Sequence, residues 1–223
     1  MRPAISIDRL ERLYERIAPG YDLRHALLTA RADRRGRRML VAAAVRPGDS
    51  VLDCGAGTGS TALLAAKAAG PDGAVTLFDL SEGMLAVARD RAARLGLADR
   101  LAFRAGDMAR LPFADNSFDV VLSTYSLCPL YDPAAGAREM LRVARPGGRV
   151  GAAHSTLPRG RVMRRLAERV EDVAWRFPSL SMGCRAVEVL PALEAAGARM
   201  VLKRRIGVPL WPFLVFVVEK PAA

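Results

Sequence analysis

The run Val51-Leu52-Asp53-Cys54-Gly55-Ala56-Gly57-Thr58-Gly59-Ser60 constrains the fold of this chain more than any other stretch. A short apolar strand runs into glycines at every second position, and a helix is expected directly after them. Glycine lets the backbone turn sharply and approach a ligand closely. The helix start adds unpaired N–H groups and a positive dipole end. Such a strand–loop–helix suits a nucleotide-like ligand held at the carboxyl ends of parallel strands, near the switch point of the sheet. The spacing is G-x-G-x-G, not the G-x-G-x-x-G of a pyrophosphate-binding dinucleotide loop. Asp53, just before the glycines, suits a ligand with a cationic amino-acid portion and no pyrophosphate.

The middle of the chain alternates strand and helix signals, which predicts an α/β, Rossmann-like doubly wound sheet. Strands are expected at 50–54, 74–78, 101–104, 118–123 and 149–153, with helices over 60–69, 81–95 and 132–143. Ser81 is the expected N-cap of the second of these helices, and Pro146-Gly147-Gly148 is expected to stop the third. The ends leave this rhythm. Helices are expected at 7–17 and about 27–45, and an amphipathic one at 158–177 with the stripe Val162, Leu166, Val170, Val173 and Phe177. A helix from 184 to 196 and strands near 200–206 and 213–219 follow. The closing hairpin would put an antiparallel strand on a mostly parallel sheet. The whole reads as one domain: an N-terminal helical lid over 1–45, a cofactor-binding core over 46–154, a helical insertion over 155–183, and a C-terminal helix and hairpin over 184–223.

Two more acids follow strands. A carboxylate at Asp79, which ends the second strand, can accept from both hydroxyls of a ribose. Asp107 follows the third strand in Ala105-Gly106-Asp107-Met108, where it can accept from an adenine amino group while Met108 packs on the ring. Either acid alone is equally a helix cap or a turn residue. Three acids directly after three successive strands form a set.

The segments VLDCGAGTGS, LFDLSEGML, AGDMARLPFADNSFDVV and EMLRVARPGGRV resemble the successive motifs of class I S-adenosylmethionine-dependent methyltransferases. In detail they are similar to the ubiquinone and menaquinone C-methyltransferases and their relatives, as is RIAPGYDL ahead of the glycine loop; the likeness spans roughly residues 12–153. The resemblance implies the class I fold and S-adenosylmethionine as cofactor, with no metal. It implies cofactor contacts from Thr58, Asp79, the Asp107–Met108 pair and Thr124. Gly55, Gly57 and Gly59 would shape the loop beside Asp53, with Leu80 and Met84 of the second motif alongside and Tyr21 closing over it. It further implies methyl transfer to a small or lipid-like acceptor. Quinone-type C-methylation is the first reading, and phospholipid or small-metabolite N- or O-methylation the alternative. Cys128-Pro129 stands where quinone methyltransferases usually carry an Arg-Asn pair.

A methyl group on a sulfonium is already activated, so alignment and exclusion of water are the main demands and a general base is optional. His154 after the fifth strand, Tyr125 after the fourth, and Tyr14 and His25 in the N-terminal helices are the candidates to face an acceptor. Each is equally an ordinary packed side chain.

The formal charge of +11 comes almost entirely from arginine, with lysine only at Lys67, Lys203 and Lys220. It fits an anionic acceptor or a lipid surface, and equally a set of solvated arginines. The run Arg31, Arg34, Arg35, Arg37 and Arg38 spreads around a helix and makes no single patch. No RNA-binding module accompanies the core and no Pro-Pro-Tyr-type tetrapeptide follows the fourth strand, which argues against nucleic-acid modification. The intact glycine loop and acids argue against a non-catalytic cofactor binder. Cys54, Cys128 and Cys184 lack the paired spacing of a metal site or a disulfide framework. No apolar run reaches the roughly 20 residues of a spanning helix, and the charged N-terminal stretch has no signal-peptide core. A cytoplasmic protein is therefore expected, with a peripheral contact at the inner membrane face.

Overall fold

The computed structural model describes residues 6–29, 31–176 and 183–222. Its strands are β1 (Ser50–Cys54), β2 (Ala74–Asp79), β3 (Leu101–Ala105), β4 (Phe118–Thr124), β5 (Ala144–Ser155), β6 (Arg199–Val208) and β7 (Trp211–Glu219). They form one sheet in the order β3-β2-β1-β4-β5-β7-β6. The first five run parallel, and β7 lies antiparallel between β5 and β6. This is the mostly parallel sheet with an antiparallel hairpin strand that the sequence predicts. The chain winds outward from β1 to β3 and then crosses back to β4, so the carboxyl ends of β1 and β4 part at the switch point.

The helices are α1 (Ile7–Ile17), α2 (Tyr21–Leu28), α3 (Ala32–Ala44), α4 (Ala62–Ala69), α5 (Glu82–Arg94), α6 (Pro133–Val143), α7 (Arg161–Trp175) and α8 (Leu190–Ala195). Central strands read as unbroken apolar runs because helices cover both faces. Val51, Leu122 and Val215 meet Leu40 of α3, Ala62 of α4 and Leu85 of α5 on one face. Leu52, Val121 and Phe216 meet Met140 of α6 and Leu193 of α8 on the other. Ser81 caps α5 as expected, its Oγ accepting the Met84 N–H at 3.1 Å. Asp132 caps α6 in the same way, accepting the Ala135 N–H at 2.9 Å.

Several boundaries differ from the sequence expectation. The helix expected over 27–45 is two helices, because Arg31 adopts a left-handed conformation (φ 61°) ahead of α3. α4 begins at Ala62, two residues past the expected start, after the turns of the glycine loop. α6 ends at Val143 without help from Pro146-Gly147-Gly148. Those residues lie inside β5, in a bulge between the pairs Phe118–Ala144 and Val120–Arg149. The helix expected from 184 is confined to Leu190–Ala195, with Pro191 in its first turn, where its missing N–H costs nothing. Phe177 lies outside the described residues.

α3 approaches the sheet closely at Gly36. A Cβ there would sit 2.5 Å from the Tyr125 hydroxyl and 3.0 Å from Ile206 Cδ1. Overpacking at so tight a site outweighs the gain of ~1 kcal/mol in helix propensity. We expect Gly36→Ala to destabilise the protein by about 1–2 kcal/mol net, read as a lower urea midpoint at unchanged slope.

Candidate active site

The carboxyl ends of β1 to β4 open on a cavity covered by Ile7, Leu10 and Tyr14 of α1 and by Tyr21 of α2. Gly55, Gly57, Asp79, Leu80, Met84, Asp107, Met108 and Thr124, all expected from the sequence to meet a cofactor, line it. All four tyrosines of the chain, Tyr14, Tyr21, Tyr125 and Tyr131, face this one space. Ser126, Pro129, Leu130 and Tyr131 line it too. Sequence reasoning missed these four as site residues, although they stand in the segment after β4 where substrate-facing residues were sought.

Asp79 ties the floor together. One carboxylate oxygen accepts the Gly57 N–H at 2.7 Å and the other the Ser81 N–H at 2.9 Å. Burial pushes its carboxyl up, against the pull of those N–H donors. Each oxygen keeps a lone pair for a ligand hydroxyl. Asp107 is held similarly, accepting the Ala109 N–H at 2.9 Å and the Tyr131 hydroxyl at 3.0 Å. Gly55 must be glycine for a packing reason, since a Cβ there would lie 2.2 Å from Ser126 Cβ. Gly57 has open space around it and needs glycine for its φ of 54°.

Three residues expected at the cofactor do not line the cavity. Asp53 is fully buried beneath it. Strand alternation turns its side chain to the α3–α4 face, where neither carboxylate oxygen has a hydrogen-bond partner among the described residues. Burial pushes its carboxyl up to about 7, although Arg37 and the Ala62 N–H at the start of α4 favour the charged form. Gly59 packs against Ala88 of α5, 3.1 Å from where its Cβ would be. Thr58 faces the N-terminal segment: its hydroxyl donates to Asp22 at 2.8 Å.

That segment is fastened at two points. Glu15 of α1 accepts from Ser81 Oγ at 2.7 Å and from the Gly83 N–H at 2.9 Å, and these donors hold its carboxyl below the usual range. Asp22 of α2 accepts from Thr58 and pairs with Arg91 of α5 at 2.9 Å. Arg91 also donates to the Thr58 carbonyl at 2.8 Å.

The acceptor candidates divide. Tyr14 and Tyr125 line the cavity, with Tyr125 in a left-handed conformation at φ 62°. His25 stands behind them, stacked on Tyr21 at 5.4 Å and edge-on to Tyr125 at 5.0 Å. It lies 3.4 Å from Asp33, which also takes the Thr29 hydroxyl at 2.9 Å and pairs with Arg37. Burial opposes ionisation of Asp33, but His25, Arg37 and Thr29 together hold its carboxyl well below the usual range. Burial keeps His25 below the ordinary imidazole value. His154 is fully buried against Phe216 and does not reach the cavity. Among the described residues, none of α7 lines the cavity, and its apolar stripe points to solvent.

The methyltransferase domain family matches residues 46–186. The chain belongs to that family. It is 42% identical over 137 residues to the ubiquinone/menaquinone biosynthesis C-methyltransferase UbiE of Stenotrophomonas maltophilia, covering 61% of this chain and 54% of that relative. With the enzyme of the same description from Geobacter sulfurreducens it shares 37% identity over 161 residues, 71% of this chain and 62% of the relative. The match thus takes in little more than half the length of such relatives. The fold is that of the [4+2]-cyclase SpnF (TM-score 0.75, 20% identity, 99% of both chains). It is also that of geranyl diphosphate methyltransferase solved with GPP and sinefungin (TM-score 0.68, 17% identity, 82% of this chain and 77% of that one). The class is that of S-adenosylmethionine-dependent methyltransferases, and S-adenosylmethionine is the cofactor. The cavity fits it chemically, with two carboxylates that retain acceptor capacity beside a largely apolar, aromatic wall.

Asp53 supplies a pH test. Its folded pKa lies above the unfolded value, so its contribution to stability is present at acid pH and is lost as pH rises from about 4 to about 7. Asp53→Asn should therefore gain in melting temperature relative to the parent at pH 8. The difference should shrink as the pH falls to about 5. A difference that is flat with pH would mean that the carboxyl titrates normally.

Proposed function

We propose that this chain transfers a methyl group from S-adenosylmethionine to a small, lipid-like acceptor, with quinone-type C-methylation as the first reading. The observation that carries it is the lining of the cavity: carboxylates at the glycine-loop side, and Ile7, Leu10, Leu130 and four tyrosines around the rest. The similarity to UbiE supports the quinone reading.

Asp79 would accept the ribose hydroxyls through the lone pairs its backbone donors leave. Asp107 would accept from the adenine amino group, with Met108 against the ring. When bound, S-adenosylmethionine supplies a methyl group on a sulfonium, an electrophile that needs no further activation. The chain's residues align the acceptor and keep water out. Burial raises the hydroxyls of Tyr14, Tyr21 and Tyr125, so these phenols are neutral at pH 7. Neither histidine lines the cavity. The acceptor therefore brings its own nucleophile, such as the electron-rich ring carbon of a hydroquinone.

N-methylation of an amine is the second reading, and one observation favours it. Tyrosine faces attract cationic groups, and Pro129, which has no side-chain donor, lines the wall at the place of the asparagine in the Arg-Asn pair that quinone methyltransferases usually carry. A lipid-like acceptor of either kind would be met at a membrane surface.

Methyl-labelled cofactor with a prenylated hydroquinone that lacks its ring methyl should give a labelled C-methyl product. Label in phospholipid or polar amine fractions instead would move the assignment to the second reading, and no label in any acceptor fraction would overturn both. Asp79→Ala should weaken cofactor binding by about 1.5–3 kcal/mol, roughly ten- to over a hundredfold, by calorimetry. Gly57→Val should weaken it too, because valine resists a φ of 54°.

A further inference from the structure

α7 packs on the body of the protein through the wrong face for a buried amphipathic helix. Ala167 is buried and Met163 and Ala174 are partly so, while Glu171 accepts the Ala186 N–H at 2.8 Å. The apolar stripe is turned away. Val162 is 83% exposed, Leu166 48%, Val170 36% and Val173 59%. These four lie within about 80° of arc, at 3.6 residues per turn. The exposed Arg165, Arg169 and Arg176 border the stripe on the side away from the packed face.

The surroundings extend the pattern. Met163 shares a groove with Arg159, Arg205, Ile206, Val208 and Pro209 at the β6–β7 turn, where Val208 is 51% exposed. β5 ends just before α7, and β6 ends at that turn, so both lie at the carboxyl edge of the sheet where the cavity also opens. Residues 159–176 hold six arginines against three acids, in a chain of net charge +11.

From this arrangement we infer that the outer face of α7, with the β6–β7 turn, docks on an anionic phospholipid bilayer. A contiguous exposed apolar stripe marks an interaction surface. Arginines along its border fit a lipid interface, their stems lying on apolar surface while the guanidinium groups reach the headgroups. Charge complementarity favours the lipid over a second copy of the chain, because the border is basic, the headgroups are anionic and the chain itself carries a net charge of +11. The inference extends the reading of a lipid-like acceptor by naming the surface that brings the protein to it. Vesicle binding needs neither cofactor nor acceptor, so the two can fail separately.

The test is co-sedimentation of the full chain with phosphatidylcholine vesicles, with and without phosphatidylglycerol, at low and high salt. Binding should require phosphatidylglycerol and fall as salt rises. The pair Leu166→Ser and Val173→Ser should reduce it at least fivefold, and the pair Arg165→Gln and Arg169→Gln comparably. The same charge change on exposed residues of α3, Arg34→Gln with Arg35→Gln, should matter little. Unchanged melting temperatures and cofactor affinity would show that the variants fold. The inference is overturned by no sedimentation at low salt, by equal losses in the α3 and α7 arginine variants, or by indifference to the apolar pair. It is also overturned if the apolar pair acts only by breaking a dimer seen in the absence of lipid.

Discussion

The site depends on one carboxylate. Asp79 takes the Gly57 N–H on one oxygen and the Ser81 N–H on the other, so the end of β2 holds both the glycine loop that follows β1 and the start of α5. Hydrogen bonds to an ionised acceptor are the strong ones, and these two fix the backbone that a cofactor must meet. Gly55 then lets the loop after β4 close in, with Ser126 Oγ donating to the Cys54 carbonyl at 3.0 Å. Three strand ends are thereby set against each other before any ligand contributes.

The N-terminal helices are fastened to that same junction. Glu15 bonds Ser81, the residue that also donates to Asp79, and Asp22 bonds Thr58 within the glycine loop. Gly83 allows the first contact, because a Cβ there would lie 2.4 Å from Glu15 Oε2. Behind this cover, Asp33 gathers His25, Thr29 and Arg37 and so supports the rings of Tyr21 and Tyr125. Closing the cover and shaping the loop use overlapping hydrogen bonds. The covering helices therefore belong to the construction of the site and are not an appendage to it.

What could be read from the sequence follows from what is local. Strand–loop–helix order, the Ser81 cap and the acids after β2 and β3 are short-range patterns, and the sheet and the cavity lining agree with them. Asp53 shows the limit. Adjacency to the glycines suggested a ligand contact, but the period-two alternation of β1 directs its side chain to the opposite face from Cys54. Thr58 shows another, since its partner Asp22 is 36 positions away and no pattern announces the pairing. The stripe on α7 was legible as a pattern, but amphipathicity says only that a helix has an apolar side. Whether that side meets the body or the solvent depends on the rest of the fold.

The fold leaves the reaction open, because a cyclase shares the whole architecture, and chemistry resides in the site grafted on a fold. The cavity narrows the choice by what it offers. Its tyrosines are neutral at physiological pH, its two carboxylates are held by backbone or phenol donors with acceptor capacity left for a ligand, and both histidines lie outside it. Such a wall can orient and dehydrate an acceptor, and its ring faces favour positive charge near them. It offers no histidine to take a proton from the acceptor. Ser126, Pro129, Leu130 and Tyr131 line the same space, so the shape and polarity of the segment after β4 bear on what the cavity can take in.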